Sequence, residues 1–317
     1  MIRNVTFLRS SAAVLVLLAP CAIAADPRIP EPRILQLSER VYVLHGPLQH
    51  ANPSNQGYMI NATVIVGDKG VILVDSGGSH AVGLHLATYV RRITPKPVNY
   101  VVNTHHHGDH YLGNTAFAGA TVISSETCRK LVAETGHEWL DLMERDVGHK
   151  LPGTKPRAAD IAYPAKARTE MRIDGVRIVF WVPGGSHTAG DLVVSLPDEK
   201  IVIAGDVLVN GVVPTFQDGF VRSWIGTLDE MLTLGATRFV PGHGDVMTSE
   251  EVTGLRDAIA RFYAGVAEGY RNGKTEAEIR ATLDLSAWSK LERSYVIGRN
   301  LNRAYLEAEA ASFDAPK

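Results

Sequence analysis

Cysteine is nearly absent from this chain. Of 317 residues only Cys21 and Cys128 carry thiols. A disulfide scaffold is therefore excluded, and so is a metal site built on several thiolates. Charge of one sign is also lacking: 32 Lys and Arg stand against 34 Asp and Glu, a net charge of -2. Nothing here favours nucleic acid or an anionic membrane surface as partner. No Gly-Lys-Ser/Thr phosphate loop appears, and no Ser-x-x-Lys or Gly-x-Ser-x-Gly nucleophile motif. The apolar run at the N-terminus, SSAAVLVLLAP, is too short to span a bilayer. With Arg3 and Arg9 before it and the small residues AIA at 22–24 after it, it reads as an export signal over residues 1–24, cut after Ala24. The alternatives are a retained anchor helix, or a lipoprotein cut before Cys21, which Pro20 disfavours. The expected mature protein is exported, periplasmic in a Gram-negative host, with no membrane span. It keeps Cys128 alone, read as an inert helix residue near the core.

Forty-five per cent of the residues are apolar, enough for a large core. Residues 25–40, rich in Pro and charge, read as a lead-in arm. RVYVLHG alternates like a strand. Residues 58–78 read as two β-runs joined by a Gly67-Asp68-Lys69-Gly70 hairpin turn. Helical spacing follows over 80–94, and again over 125–147 with Ser125 as N-cap. The second half repeats this grammar without a close sequence repeat. The β-then-α rhythm predicts two packed sheets with helices outside. From about Thr248 the β signals fade into helical patterns. We therefore divide the mature chain into 25–247 and a helical extension over 248–317. The extension is expected to be a structural cap or dimer surface, with pocket shaping as the alternative.

The chemistry concentrates in THHHGDHYLGN, residues 104–114. His105 and His107 flank one residue, so in extended chain their rings share a side. Gly108 lets the chain turn sharply before Asp109 and His110. Two ligand pairs therefore sit on one turn, and imidazole with carboxylate suits zinc. His106 fits neither pair and is read as outward-facing or supporting. One turn cannot complete two metal sites, so distant partners are required. Strand ends beside glycines offer three: His187 in PGGSHTAGD, Asp206 in IAGDVLV and His243 in FVPGHGD. Ser186, next to His187, has no identifiable base and is read as a turn residue.

These motifs, in this order, with VDSGG around Asp75, resemble the metallo-β-lactamase-fold hydrolase superfamily. The resemblance runs from about Val41 to Met247. It implies an α+β fold, a four-layer αβ/βα sandwich, here with a C-terminal helical appendage. It also implies a dinuclear zinc site, two Zn²⁺ per chain. His105, His107 and His187 would hold the first ion; Asp109, His110 and His243 the second; Asp206 would bridge. Asp75 would anchor the ligand loops by hydrogen bonds. Such a pair supplies a water ionised near neutral pH and polarises a carbonyl, so no side-chain nucleophile is needed. Asp109 is the expected catalytic proton shuttle. Carboxylate at 206 departs from those β-lactamases that use cysteine there. The leader, GDVLVNG, PTFQDG and the helical tail are similar to exported quinoprotein-relay-type zinc metallohydrolases. That likeness implies a small-molecule substrate and makes an exported dehydrogenase system a candidate partner. The expected reaction is hydrolysis of a small ester, lactam, lactone or thioester. The alternatives are a β-lactamase proper, or an iron-dependent sulfur or oxygen redox enzyme on the same fold. Candidate pocket walls are loop 45–57, with His45 and His50, and loop 208–220, with Phe216 and Gln217. Trp181 and Trp224 are placed near the mouth or, preferably, in the core.

Overall fold

The computed structural model describes residues 27–313. The expected export signal lies outside the described residues. Two sheets form, as the β-then-α rhythm requires. The first has seven strands in chain order: β1 (Arg33–Gln36), β2 (Val41–His45), β3 (Asn61–Val66), β4 (Val71–Val74), β5 (Val98–Val102), β6 (Thr121–Ser125) and β7 (Ile161–Tyr163). Pairing is antiparallel from β1 to β4 and parallel from β4 to β7. Parallel neighbours need crossovers. Helix α1 (His80–Ile93) joins β4 to β5, the short α2 (Gly108–Tyr111) lies between β5 and β6, and α3 (Glu126–Val147) joins β6 to β7. Ser125 caps α3, its side chain accepting from the Cys128 N–H.

The second sheet runs in the order β12 (Arg238–His243), β11 (Ile201–Val209), β10 (Val193–Leu196), β9 (Val176–Trp181), β8 (Arg168–Ile173). Asp174 and Gly175, both at positive φ, close the β8–β9 hairpin. Helix α4 (Val221–Leu232) crosses from β11 to its parallel neighbour β12.

Period-two alternation sorts each strand's side chains between two apolar layers. In β3 and β4, Ile65 and Ile72 face the space between the sheets, while Val64 and Leu73 face α1 and α3. In β11, Ile201 and Ile203 face inward, while Val202 and Ala204 face the other helices. Three apolar layers thus separate four structural layers, the αβ/βα sandwich. Residues 33–36, expected to be part of an arm, form an edge strand instead. Three of those four residues are exposed, so they carry no buried face for a sequence pattern to reveal.

The C-terminal region is helical: α5 (Ser249–Arg271), α6 (Glu276–Thr282), α7 (Ser286–Ser289) and α8 (Ile297–Phe313). It has no core of its own. Phe262, Trp288, Val296 and Leu301 bury into the layer that covers the outer face of the second sheet. Polar ties fasten it further. Asn300 accepts from the Phe216 N–H and donates to the Pro214 carbonyl, and Arg303 donates to the Gly219 carbonyl. Helix α4 begins at Phe220, which provides no side-chain cap. Glu307 of α8 takes that role, accepting from the Val221 and Arg222 N–H groups at 2.8 and 3.0 Å. Substituting Glu307→Ala should cost about 0.5–2 kcal/mol, as losing an N-cap does; a shift in the denaturant midpoint at unchanged slope would register it.

Candidate metal centre

Every ligand candidate lies at the sheet edge where β5, β11 and β12 end. His105, His107, Asp109 and His110 occupy the turn after β5 and the start of α2. His187 is in the loop between β9 and β10, Asp206 lies within β11, and His243 ends β12. The parallel β11–β12 pairing brings the last two strands side by side. Glycine makes the approach close enough: a Cβ at Gly242 would sit 1.9 Å from Asp206 Oδ1. All seven side chains are buried except His107, which is partly so.

Each imidazole has one nitrogen tied outside the cluster. His110 Nδ1 lies 2.8 Å from Asp75 Oδ2, and His243 Nδ1 lies 2.8 Å from the Met59 carbonyl. His187 Nδ1 is 3.2 Å from the Thr215 carbonyl, His105 Nδ1 is 3.0 Å from Thr104 Oγ1, and His107 Nε2 is 3.0 Å from Asp218 Oδ2. An acceptor at one nitrogen sets the ring's orientation and leaves the other nitrogen as a lone-pair donor. Those second nitrogens turn toward one another. Among the described residues, His105 Nε2, His110 Nε2, His243 Nε2 and Asp206 Oδ1 are buried without a hydrogen-bond partner. Such orphans are costly unless something else satisfies them.

The spacing says what would. Zinc bonds of about 2.0–2.2 Å in a tetrahedron put neighbouring ligand atoms about 3.3–3.6 Å apart. His110 Nε2 is 3.5 Å from Asp109 Oδ2 and 3.3 Å from Asp206 Oδ1. His243 Nε2 is 3.3 Å from both Asp109 Oδ2 and Asp206 Oδ2. His187 Nε2 is 3.1 Å from His107 Nδ1 and 3.7 Å from Asp206 Oδ2. His105, His107 and His187 form one group, and Asp109, His110 and His243 another. A third group, His105, His110 and Asp206, joins them, with Asp206 reaching both sides. The donor set fits two divalent cations.

The two halves differ electrically. Burial first, then the neighbouring imidazoles, holds His105 well below the ordinary histidine value. The same causes bring His187 down to about 3. Around His110, burial is outweighed by Asp109, Asp206 and Asp75, and its pKa rises well above the ordinary value. His243 is raised too, Asp206 overcoming burial. Burial opposes ionisation of Asp109 and Asp206, but His110 and His243 hold both carboxyls below the usual range. One half presents neutral imidazoles; the other sets carboxylates against imidazoles whose basicity those carboxylates raise.

Sequence motifs of residues 55–243 match the Metallo-beta-lactamase superfamily. The chain belongs to that superfamily. Among curated proteins, it is 26% identical over 258 residues to the linear primary-alkylsulfatase of Pseudomonas sp. (strain ATCC 19151), covering 68% of this chain and 48% of that protein. It is 28% identical over 223 residues to a Metallo-beta-lactamase type 2 of Bacillus sp. (strain 170), covering 67% and 76%. Among solved structures, the stereoselective inverting sec-alkylsulfatase of Pseudomonas sp. superposes with a TM-score of 0.67 at 18% identity, over 90% of this chain and 52% of that one. The chain thus spans about half the length of both alkylsulfatases. Within this superfamily fold, the His and Asp clusters are candidate metal ligands.

The seven expected ligands all converge, and Asp75 sits where the ligand loops need an acceptor. Ser186 donates to Thr227 Oγ1, and Cys128 is buried with its thiol pushed up to about 12 by that burial. Both expected wall loops line the pocket, though not through every residue named for them. A cavity of about 250 Å³ opens on Asp109 and Asp206 and is lined by His50 and Gln217, but not by His45 or Phe216. His45 faces Asp245 elsewhere, and Phe216 is fully buried against Trp224, Phe262 and Trp288. Trp181 and Trp224 are core residues. Two aromatics line the cavity, Tyr295 and Trp139 of α3, the latter 4.6 Å from the His107 ring. His106 is buried beside it and pushed down to about 4, first by burial and then by His107. The extension, expected to be a cap or dimer surface, lines this cavity through Arg293, Tyr295 and Arg299. Asp218, like Trp139, Arg293 and Arg299, lines the cavity without a motif that marks it. Its only sequence signal was its place in PTFQDG. Because it orients His107, Asp218→Ala should weaken metal binding about 10–100-fold; competition with a chromogenic chelator measures this, and an unchanged unfolding midpoint separates it from misfolding.

Proposed function

We propose that the protein is an exported dinuclear zinc hydrolase that cleaves a small ester, lactam, lactone or thioester bond. One observation supports this above the others: seven donor side chains from four separate stretches converge within ligand-sharing distance, and four of them, His107, Asp109, His187 and Asp206, line a cavity. When bound, two such cations supply Lewis acidity and a water that ionises near neutral pH. His105, His107 and His187 would hold one, Asp109, His110 and His243 the other, with Asp206 between them. The rest is the chain's own work. Asp75, Thr215, Asp218 and the Met59 carbonyl keep the rings in place. Asp109 lies at the cavity floor and can hold the nucleophile's proton and return it to the leaving group. Met59, Trp139 and Met143 line the cavity with apolar surface that limits water around a bound acyl group.

Among relatives of this fold, we place the chain with exported quinoprotein-relay-type metallohydrolases, on the strength of its leader, GDVLVNG, PTFQDG and helical tail. An N-terminus at Ala25 in protein recovered from the export compartment would support the assignment of residues 1–24 as a signal. The 26% identity to an alkylsulfatase adds alkyl sulfates to the substrates to be screened.

The test combines metal analysis with a screen. Protein purified without chelator should carry about two zinc ions per chain. It should cleave at least one of a panel of esters, lactams, lactones, thioesters and alkyl sulfates. A single iron, or no cleavage across the panel, overturns the reading. Asp109→Asn should lower the rate about 10²–10⁴-fold, the usual worth of general acid–base catalysis. A non-catalytic partner of an exported dehydrogenase would keep its function in that variant.

A further inference from the structure

The cavity's charges divide unevenly. Of its carboxylates, Asp109 and Asp206 belong to the ligand cluster, Asp218 bonds His107, and Asp146 lies 3.8 Å from His50. Its two guanidiniums, Arg293 and Arg299, have no carboxylate within salt-bridge distance among the described residues. Elsewhere on this chain arginines pair readily, as Arg177 does with Glu170 and Asp198. Among the described residues, Arg299 makes one long hydrogen bond, 3.5 Å, from Nη1 to Gln217 Oε1.

The backbone that carries both arginines is held in place. Residue 292 is bridged to 212, with Val213 N–H donating to the Glu292 carbonyl at 2.9 Å and Glu292 N–H to the Gly211 carbonyl at 3.2 Å. The next residue, Arg293, has φ 60°, a left-handed conformation that an unbranched non-glycine side chain adopts only at some cost. Arg299 rides on α8 one residue before Asn300, whose side chain is fixed to Pro214 and Phe216. The opposite character is supplied by α3: Trp139, Leu142 and Met143 are apolar and line the same cavity. Guanidinium forks match an oxyanion in two-pronged fashion.

We propose that Arg293 and Arg299 form an oxyanion-binding subsite, so that the substrate is an anionic molecule. Its carboxylate or sulfonate rests on the C-terminal extension, its apolar body lies against α3, and its scissile bond is at the ligand cluster. The substrate class deepens the hydrolase reading and rests on it, but binding at the arginines does not.

Calorimetry on the zinc-loaded protein tests the subsite without turnover. Three probes share a carboxylate that can meet the metals: butyrate, succinate and 3-sulfopropanoate. Only the last two carry a second anion. Succinate or 3-sulfopropanoate should bind about tenfold more tightly than butyrate, as one charge-assisted contact supplies. The preferred one identifies the oxyanion. In Arg293→Gln/Arg299→Gln the advantage should fall below about twofold, with the unfolding midpoint confirming a folded protein. Arg299→Lys, which keeps the charge without the fork, should recover part of it. Equal binding of all three probes to the wild type, or a preference that survives in the double variant, overturns the proposal. If the preference holds while the screen of neutral and anionic substrates finds no cleavage, the subsite stands and the hydrolase reading falls.

Discussion

One buried carboxylate, Asp75, ties down the turn on which four of the seven ligand candidates sit. Its Oδ1 accepts from the Thr104 N–H at 2.9 Å, and its Oδ2 accepts from Thr104 Oγ1 and from His110 Nδ1, both at 2.8 Å. Thr104 Oγ1 in turn meets His105 Nδ1. A single side chain thereby sets two imidazoles and the first peptide of the turn. Asp75 has φ 61°, unusual for a residue with a Cβ. Its backbone N–H bonds Val102 O, which docks the end of β4 onto the end of β5. The unfavourable conformation is retained because several buried donors depend on it.

From that anchor, the sandwich supplies the remaining donors. Parallel pairing makes β4, β5 and β6 end at one edge of the first sheet, and β11 and β12 end at the same edge of the second. Asn61 of β3 fastens the two edges together, donating to the Pro241 and Gly244 carbonyls. The apolar layer between the sheets sets their separation, so its packing determines whether His187, Asp206 and His243 reach the first cluster. A core in which side chains interdigitate at near-crystalline density has low compressibility and so holds such a distance firmly. The precision of the polar site is therefore a property of the apolar core.

The C-terminal extension acts on the same site from outside. Asn300, Arg303 and Glu307 hold the segment 214–222 by its backbone. That segment carries the Thr215 carbonyl and Asp218, which orient His187 and His107. The extension thus bears on the metal centre twice, through the loop it clamps and through the arginines it places in the cavity wall. Since it shares its core with the second sheet, it is part of the sandwich's outer layer.

Residue type and spacing alone were enough to pick out the side chains that converge as candidate ligands: His and Asp at fixed offsets, each beside a glycine or at a strand end, have few other uses. The strands β2, β3 and β4 and the helices α1 and α3 were equally legible, the helices because one buried face imposes a period, and β3 and β4 because they are nearly continuous apolar runs bounded by turn residues. Strand β1 was not, since an exposed edge leaves no period. Nor were Trp139, Asp218, Arg293 and Arg299, which as residues are unremarkable on a helix or in a loop. Trp139 and Asp218 meet His107 across 32 and 111 residues of chain, and Arg293 and Arg299 reach the cavity from the C-terminal extension, which no local pattern encodes. Ligand identity is written in local chemistry, whereas pocket shape and its charge are set by which distant surfaces the core brings together.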